Sequence, residues 1–331
     1  MEGTLSDLVR DYRLVTRHEG VFTVHFHDDP DAPPSSPCRQ ERWEKVRTLG
    51  RGGQGEVVLQ TCIEGGRNFT ERAVKRIRLQ NGHSKKHYKR ELESIVKFSH
   101  DRYSKYFVKS LGWYATSNRL YMAMEYFPEG DLYAYICNHE ALAEEECSLI
   151  TSQILSGIAL MHEEGFAHRD NILIYRHPQG LPSSSWWVKI ADFGISKKLN
   201  TETNLTTLVP GTPLYMAPEL LRSEPQSLSI NDYRTADVWA VGITTFFMMT
   251  KNVPFRSQPA IMNFTGNLDG MIQDNIPARC QISESGRAFI KELLEPQAEK
   301  RFDAGSAKLH PWVHHWLPEA PTSGTDSRYT A

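Results

Sequence analysis

Long apolar runs are missing from this sequence. The most apolar window, VWAVGITTFFMMT at 238–250, has 13 residues, whereas a helix needs about 20 apolar residues to cross the hydrocarbon core of a bilayer. The amino terminus, MEGTLSDLVRDYR, carries charges where a secretory signal would need an apolar stretch. We therefore expect no membrane-spanning segment and an intracellular, cytoplasmic protein, with a nuclear location left open.

The net charge is small, and cysteines are few. The formal charge is −2, so neither sign is in sufficient excess to favour binding to nucleic acid or to an acidic membrane surface. The five cysteines are odd in number and form no C-x-x-C pair, which favours a reducing compartment and buried free thiols. With 331 residues, 40% of them hydrophobic, the chain can form one large globular domain or two lobes with a shared core.

Residues 1–42 differ in pattern from the rest and are predicted to be an extension and linker. They contain one strand-like run, VFTVHF, followed by the proline-rich DDPDAPPSSP. His25 and His27 alternate at the end of the run, beside Asp28 and Asp29. That pattern resembles a set of metal ligands, but the surface face of a strand explains it as well.

From Trp43 onward the pattern predicts a small β-rich section and then a larger helical one. The β-rich section consists of the strand-like runs WEKVRTLG, GEVVLQTCI and FTERAVKRIRL, the helical run HYKRELESIVKF, and the strands YFVKSLGWYA and RLYMAMEYF. After Gly130 the apolar residues Ile150, Ile154, Ile158 and Met161 recur at helical spacing. A turn-rich stretch, HPQGLPSSSWW, separates two short strands, NILI and WVKI.

A glycine-rich stretch, LGRGGQGEV at Leu49–Val57, is the first motif that indicates chemistry. Gly50, Gly52 and Gly55 form a G-x-G-x-x-G array, and glycines let backbone amides approach phosphate closely. The dinucleotide-binding form of this motif requires a helix after the loop. Here another strand follows, so that alternative is rejected.

Further motifs follow in a fixed order along the chain. They are Ala73-Val74-Lys75 on the third strand, His168-Arg169-Asp170 next to Asn171, Ala191-Asp192-Phe193-Gly194 after a strand, and GTPLYMAPE at 211–219. Together with the glycine array, they resemble the motifs of the eukaryotic-type serine/threonine protein kinase family. The resemblance covers about residues 43–317 and implies an α+β, bilobal fold.

The resemblance implies ATP and Mg²⁺ as cofactors and a protein serine or threonine as substrate. Lys75 would contact the α- and β-phosphates while a carboxylate holds its ammonium group. Glu91 is favoured for that carboxylate because it precedes His100 by nine residues, the family's usual spacing; Glu93 is the alternative. Asp170 would accept the proton of the substrate hydroxyl, and Thr212 would help to orient it.

Nucleotide and metal positions are implied in the same way. Adenine would bind the backbone of the hinge at Met124–Phe127, between Val57 and Ala73 above and Leu173 below. Mg²⁺ would bind Asn171 and Asp192. The full implied nucleotide-binding set is Leu49, Gly50, Gly52, Gly55, Val57, Ala73, Lys75, Met124, Glu125, Phe127 and Leu173.

Domain boundaries and two bracing contacts are also implied. The predicted units are an extension and linker at 1–42, a first lobe at 43–124, a hinge at 125–130, a second lobe at 131–317 and a disordered tail at 318–331. Arg301 would pair with Glu219, and Asp237-Val238-Trp239 would lie on a buried helix that braces the catalytic loop. Thr201, Thr203, Thr206 and Thr207 are the candidate phosphorylation sites, and the oligomeric state is not predicted.

The catalytic loop departs from the family. Kinases have four residues between H-R-D and the metal-binding asparagine, and here Asp170 abuts Asn171. Four residues extend up to about 13–14 Å. If the upstream register holds, Asp170 stays as the base and the NILI strand slides, which brings Tyr175 to the metal position and Ile172 to the lysine position. If the downstream register holds, Asn171 and Leu173 keep their places and Asp170 lies beside the metal ligand.

Either arrangement loses at least one catalytic group, so the chain as written is expected to bind nucleotide and transfer phosphate poorly. Three explanations stay open: a pseudokinase that acts as a scaffold, a splice product with a damaged site, or twelve nucleotides missing from the sequence at an exon edge. The presence of every other catalytic motif favours the third.

Overall fold

The chain is described here by a computed structural model. The described residues are 5–28, 31, 33, 35–52, 55–66, 69–79, 84–167, 172–178, 185–191, 212–223, 227–268 and 282–316. The predicted tail at 318–331 and the candidate phosphorylation threonines lie outside them.

A seven-stranded antiparallel sheet forms the first lobe, in the order β1-β2-β3-β4-β5-β7-β6. Helix α2 packs against this sheet, and a short helix, α1, packs against α2. The bounds are α1 (Asp7–Asp11), β1 (Val15–Glu19), β2 (Phe22–His27), β3 (Arg39–Gly52), β4 (Gly55–Glu64), β5 (Glu71–Arg78), α2 (Ser84–Lys97), β6 (Ser110–Ala115) and β7 (Arg119–Met124).

Helices dominate the second lobe. Its elements are α3 (Leu132–Asn138), α4 (Glu144–Glu163), the hairpin β8 (Ile172–Arg176) and β9 (Trp187–Ile190), α5 (Pro218–Arg222), α6 (Ile230–Thr250), α7 (Gln258–Met262), α8 (Glu284–Leu293), α9 (Ala304–Lys308) and α10 (Pro311–His314). Short 3₁₀ turns lie at Asp101–Tyr103 and Thr212–Tyr215. The expected bilobal α+β fold is confirmed, and the predicted stripe on α4 is buried.

Helix α6 forms the centre of the second lobe because almost all its side chains are apolar or small. Its start is fixed by a capping box in which Ser229 and Asp232 exchange hydrogen bonds. Trp239 is fully buried. At Gly242 a side chain would collide with Leu293 and Leu294, so glycine here lets α8 pack closely against α6.

The amino-terminal extension belongs to the first lobe instead of forming a free linker. Its VFTVHF run is β2, which pairs with β3, and β1 adds a further strand. His25 is 0% exposed, so the expectation of a surface strand face is wrong for this residue. Its Nε2 lies 2.8 Å from a guanidinium nitrogen of Arg72, and its ring centre lies 5.0 Å from that of Tyr114 on β6.

Two other expectations from composition can be compared with the described residues. Cys38 and Cys137 are exposed, so the expectation of buried thiols is wrong for them, although Cys147 is buried. Cys280 lies outside the described residues. Within the described ranges, every helix is too short or too polar to cross a bilayer.

Candidate active site between the lobes

A buried ion pair joins the sheet of the first lobe to α2. Lys75 Nζ lies 2.6 Å from Glu91 Oε1, and both side chains are buried. Lys75 occupies the middle of β5, between strands β4 and β7. The apolar residues of α2 point to the core, and this inward face also carries Glu91. The rival carboxylate, Glu93, lies on the partly exposed side, 3.9 Å from Lys89.

The desolvation cost determines how much net free energy the Lys75–Glu91 pair contributes to stability. Each charge that is removed from water loses about several kcal/mol of hydration free energy. The attraction between the two charges mainly offsets that loss. Removal of one partner leaves the other charge buried without compensation. The Lys75–Glu91 contact is therefore a sensitive indicator of how α2 sits against β5.

A small apolar cluster lies where the hinge meets the second lobe. Val108, Phe127 and Ala191 are its buried members, and Met124 and Leu173 pack against them. Three of the predicted nucleotide-binding residues thus come together. The sequence interpretation missed Val108 and Ala191, although Ala191 directly precedes the predicted metal-binding Asp192.

The remaining predicted lining residues lie on neighbouring strands. Ala73 is opposite Met124 in the β5–β7 pair, and Val57 is opposite Lys75 in the β4–β5 pair. Gly52 and Gly55 close the β3–β4 hairpin. Gly55 has φ of +143°, and a side chain there would collide with the carbonyl oxygen of Arg76. Glycine is therefore required at this position by both conformation and space. Leu49 and Gly50 precede the hairpin turn on β3.

The hinge residue Glu125 uses its side chain structurally. Its Oε2 accepts hydrogen bonds from Lys189 Nζ at 2.9 Å and from the backbone N–H of Lys109 at 3.1 Å. Lys189 is 4% exposed, and its Nζ also lies 4.7 Å from the ring centre of Tyr175. The backbone N–H of Glu125 in turn donates to the carbonyl of Lys109 at 3.1 Å, so both the side chain and the backbone of Glu125 fix the hinge to the segment that leads into β6. Lys189 was not predicted, though a lysine inside the apolar run WVKI was a usable signal.

Strand β8 pairs with β9 and packs against the hinge. Leu173 is opposite Lys189 and packs in the apolar cluster, while Ile174 N–H donates to the carbonyl of Gly130 at 3.0 Å. Tyr175 is 47% exposed and packs on Trp187. Residues 168–171, on which the two alternatives for the catalytic loop depend, lie outside the described residues, so both alternatives stay predictions.

Several predicted catalytic residues are not placed. Asp170 and Asn171, together with Asp192, lie outside the described residues, as do 193–211. Thr212 begins a 3₁₀ turn, but its side chain is also outside the description. Upstream of the catalytic loop, Phe166 and Ala167 are buried in the main core, so the loop departs from a well-packed point.

Two polar contacts join distant segments of the second lobe, one of them the predicted pair of Arg301 with Glu219. Arg301 donates to both oxygens of Glu219, at 2.6 and 3.0 Å, and its side chain is buried. A bidentate, buried pair of this kind fixes both orientation and distance. On α6, Asp237 Oδ2 lies 2.9 Å from His162 Nε2 at the end of α4.

Comparison with known proteins assigns the chain to a family. The family model for the protein kinase domain matches residues 43–313, and the chain belongs to this family. The chain is 32% identical over 235 residues to the serine/threonine-protein kinase RAD53 of Saccharomyces cerevisiae, a match that covers 68% of the chain and 27% of the relative. Against the kinase cds1 of Schizosaccharomyces pombe the identity is 27% over 281 residues, 82% of the chain and 58% of the relative. The chain thus spans from about a quarter to somewhat over half of the length of these relatives.

Solved structures agree with this assignment. The crystal structure of Rad53 1-466 in complex with AMP-PNP aligns with a TM-score of 0.62 and 28% identity, covering 82% of this chain and 65% of that one. The Rad53 kinase domain with SCD2 aligns with a TM-score of 0.59 over 78% of this chain and 86% of the other. The predicted kinase family, and with it the class of serine/threonine kinase relatives, is confirmed.

Proposed function

We propose that this chain binds ATP between its lobes and transfers the γ-phosphate to serine or threonine hydroxyls of a protein, inside the cell. One observation carries the proposal: the buried 2.6 Å contact between Lys75 and Glu91. A lysine held in this way beside a glycine hairpin is suited to the α- and β-phosphates of ATP. The similar Rad53 structure contains AMP-PNP, which supports the same ligand here.

The surroundings of Lys75 fit a nucleotide. The cluster of Val108, Met124 and Phe127 with Leu173 supplies an apolar surface for a flat base, and small Ala73 leaves room above it. Beside this surface, the backbone of 125–127 offers hydrogen-bonding groups to the base edge. The glycines at 50, 52 and 55 allow backbone amides to approach the phosphates.

The chemical roles in the transfer are assigned to residues of the catalytic loop and its neighbours. Asp170 would accept the proton of the attacking hydroxyl, and Thr212 would help to position that hydroxyl. Asn171 and Asp192 supply an amide and a carboxylate oxygen, the hard donors that Mg²⁺ prefers. When bound, Mg²⁺ would neutralise phosphate charge.

A second function, a catalytically silent interaction module, is favoured by the shortened catalytic loop. The four residues that kinases have between H-R-D and the metal-binding asparagine are absent between Asp170 and Asn171. Five Cα steps then join Ala167 to Ile172, which allow at most about 18 Å of extended chain. That short connection has to present both a proton acceptor and a metal ligand.

A radiolabelled-ATP assay separates the two functions. The chain is incubated with Mg²⁺ and a generic basic protein, and ATP binding is measured in parallel as a thermal shift. Phosphate transfer that is lost in the Asp170→Asn variant supports the kinase. A thermal shift with no transfer supports the silent module. If Lys75→Met shows the same thermal shift as the unchanged chain, the proposed nucleotide site is wrong.

A further inference from the structure

We propose that the amino-terminal segment 5–14 is a positioning element that holds α2 in place and so keeps Glu91 within reach of Lys75. The proposal rests on the proposed kinase function, since it gives this segment a role in that reaction. The segment precedes the matched kinase domain, which begins at residue 43, so its role is separate from the family motifs.

The short helix α1 buries one side against α2. Val9 is 0% exposed, and Leu5 is also buried in the main core. Both belong to the apolar cluster that contains Leu92, Ile95 and Val96 of α2, and α1 packs directly against α2. Leu8, on the other side of α1, is 49% exposed. The packing is therefore specific to one face of the segment.

Strand β6 anchors the same segment from below. Trp113 Nε1 donates to the carbonyl oxygen of Val9 at 2.7 Å. Trp113 N–H donates to the carbonyl of Tyr12, and Leu14 N–H donates to the carbonyl of Trp113. At Gly112, whose φ is +107°, a side chain would lie 2.7 Å from Leu14 Cγ. The segment is thus fixed to the sheet independently of α2.

These contacts determine what holds Glu91. A buried ion pair contributes little net free energy because of its desolvation cost, so Lys75 alone holds α2 weakly. Apolar packing of Leu92, Ile95 and Val96 in the core supplies the remaining support, and α1 provides part of that packing. Without it, α2 gains freedom to move, and the carboxylate of Glu91 moves with it.

Val9→Asp tests the proposal, with Leu8→Asp as the matched control on the same helix. Hydrogen exchange is measured for the amides of residues 91–97 in α2 and of residues 240–249 in α6. We expect exchange at 91–97 to rise at least tenfold in Val9→Asp while α6 stays unchanged, and neither region to change in Leu8→Asp. Val9→Ile should restore slow exchange because it keeps the apolar contact.

Two results would overturn the proposal: unchanged exchange in α2, or an equal rise in α2 and α6, which would indicate a general loss of stability. If Val9→Asp does not fold, Trp113→Phe, which removes the indole N–H donor together with part of the buried ring, is judged by the same criterion, with a smaller rise of about threefold expected. Hydrogen exchange does not require phosphate transfer. An inactive chain with α2-specific exchange would therefore contradict the kinase function while the positioning role of the segment stands.

Discussion

Buried Lys189 of β9 and Glu125 of the hinge, whose side chain is only 14% exposed, form an ion pair across the junction of the two lobes, with Nζ and Oε2 2.9 Å apart. Glu125 also accepts the backbone N–H of Lys109, which leads into β6. One carboxylate thus connects a strand of the second lobe, the hinge and the first lobe. Its neighbours are aromatic, so water has little access to the pair.

Lys189→Met should destabilise the protein by about 3 kcal/mol, because Glu125 would stay buried with its charge uncompensated. The free energy of unfolding in urea measures this loss. Combining Lys189→Met with Glu125→Gln should recover more than about 1 kcal/mol, since the orphaned charge is then removed. Lys89→Met, which breaks the partly exposed pair with Glu93, serves as the control and should cost less than about 1 kcal/mol. Equal losses of unfolding free energy for Lys189→Met and Lys89→Met would show that the Lys189–Glu125 pair contributes no more to stability than a partly exposed pair does.

Glu91→Gln should reduce ATP binding at least tenfold, because a neutral amide holds the ammonium of Lys75 less firmly than a carboxylate does. Isothermal titration with ATP and Mg²⁺ measures the change. Glu93→Gln is the matched control on the same helix and should bind as the unchanged chain does. A larger effect of Glu93→Gln would contradict the assignment of Glu91.

Lengthening the catalytic loop should raise activity. An insertion of four residues that include a lysine, placed between Asp170 and Asn171, restores the family's spacing and should increase kcat at least 100-fold. The matched control inserts the same four residues after Gln179, in the turn-rich stretch between β8 and β9. Equal turnover in the two variants would show that the short loop is not the limiting feature.

His25 should make stability depend on pH below neutrality. Burial, together with the nearby charge of Arg72, lowers the pKa of His25 from 6.5 to about 2. The unfolded chain therefore binds a proton below pH 6.5 that the folded chain does not bind. Stability is full above pH 6.5 and falls with acidification by up to about 1.4 kcal/mol per pH unit from this group.

His25→Gln removes the titrating group and should flatten the dependence between pH 6.5 and 5. Urea unfolding at several pH values measures the slope, and His314→Gln, at an exposed position, is the control. If His25→Gln keeps the slope of the unchanged chain, another group is responsible.

Local spacing predicted the parts of the site whose residues lie on regular elements. Lys75 and Glu91 were paired by their positions on one strand and one helix, and the structure brings them into contact. The same holds for Glu219 and Arg301. In both cases the spacing that is typical of the family predicts which residues are in contact in the folded chain. The catalytic roles of these residues stay proposals.

Contacts made by distant segments could not be predicted in this way. The pairing of β2 with β3 and the contacts of His25 with Arg72 and Tyr114 on distant strands are not encoded by short-range periodicity. His25 consequently looked like a surface residue. Similarly, the packing of Leu173 against Val108 and Phe127 is a non-local relationship that the local pattern of NILI does not encode.

Residues 13–14 run beside β6, and the chain then continues at once into β1, at the other end of the strand order. Residues 13–14 therefore connect the two edge strands, β1 and β6. They also cover part of the backbone of β6 that no other strand pairs with. A shortened protein beginning at Trp43 would leave that edge open to strands of other molecules. Such a fragment should self-associate and precipitate on concentration, so preparations intended for crystallisation or assay need the first 42 residues.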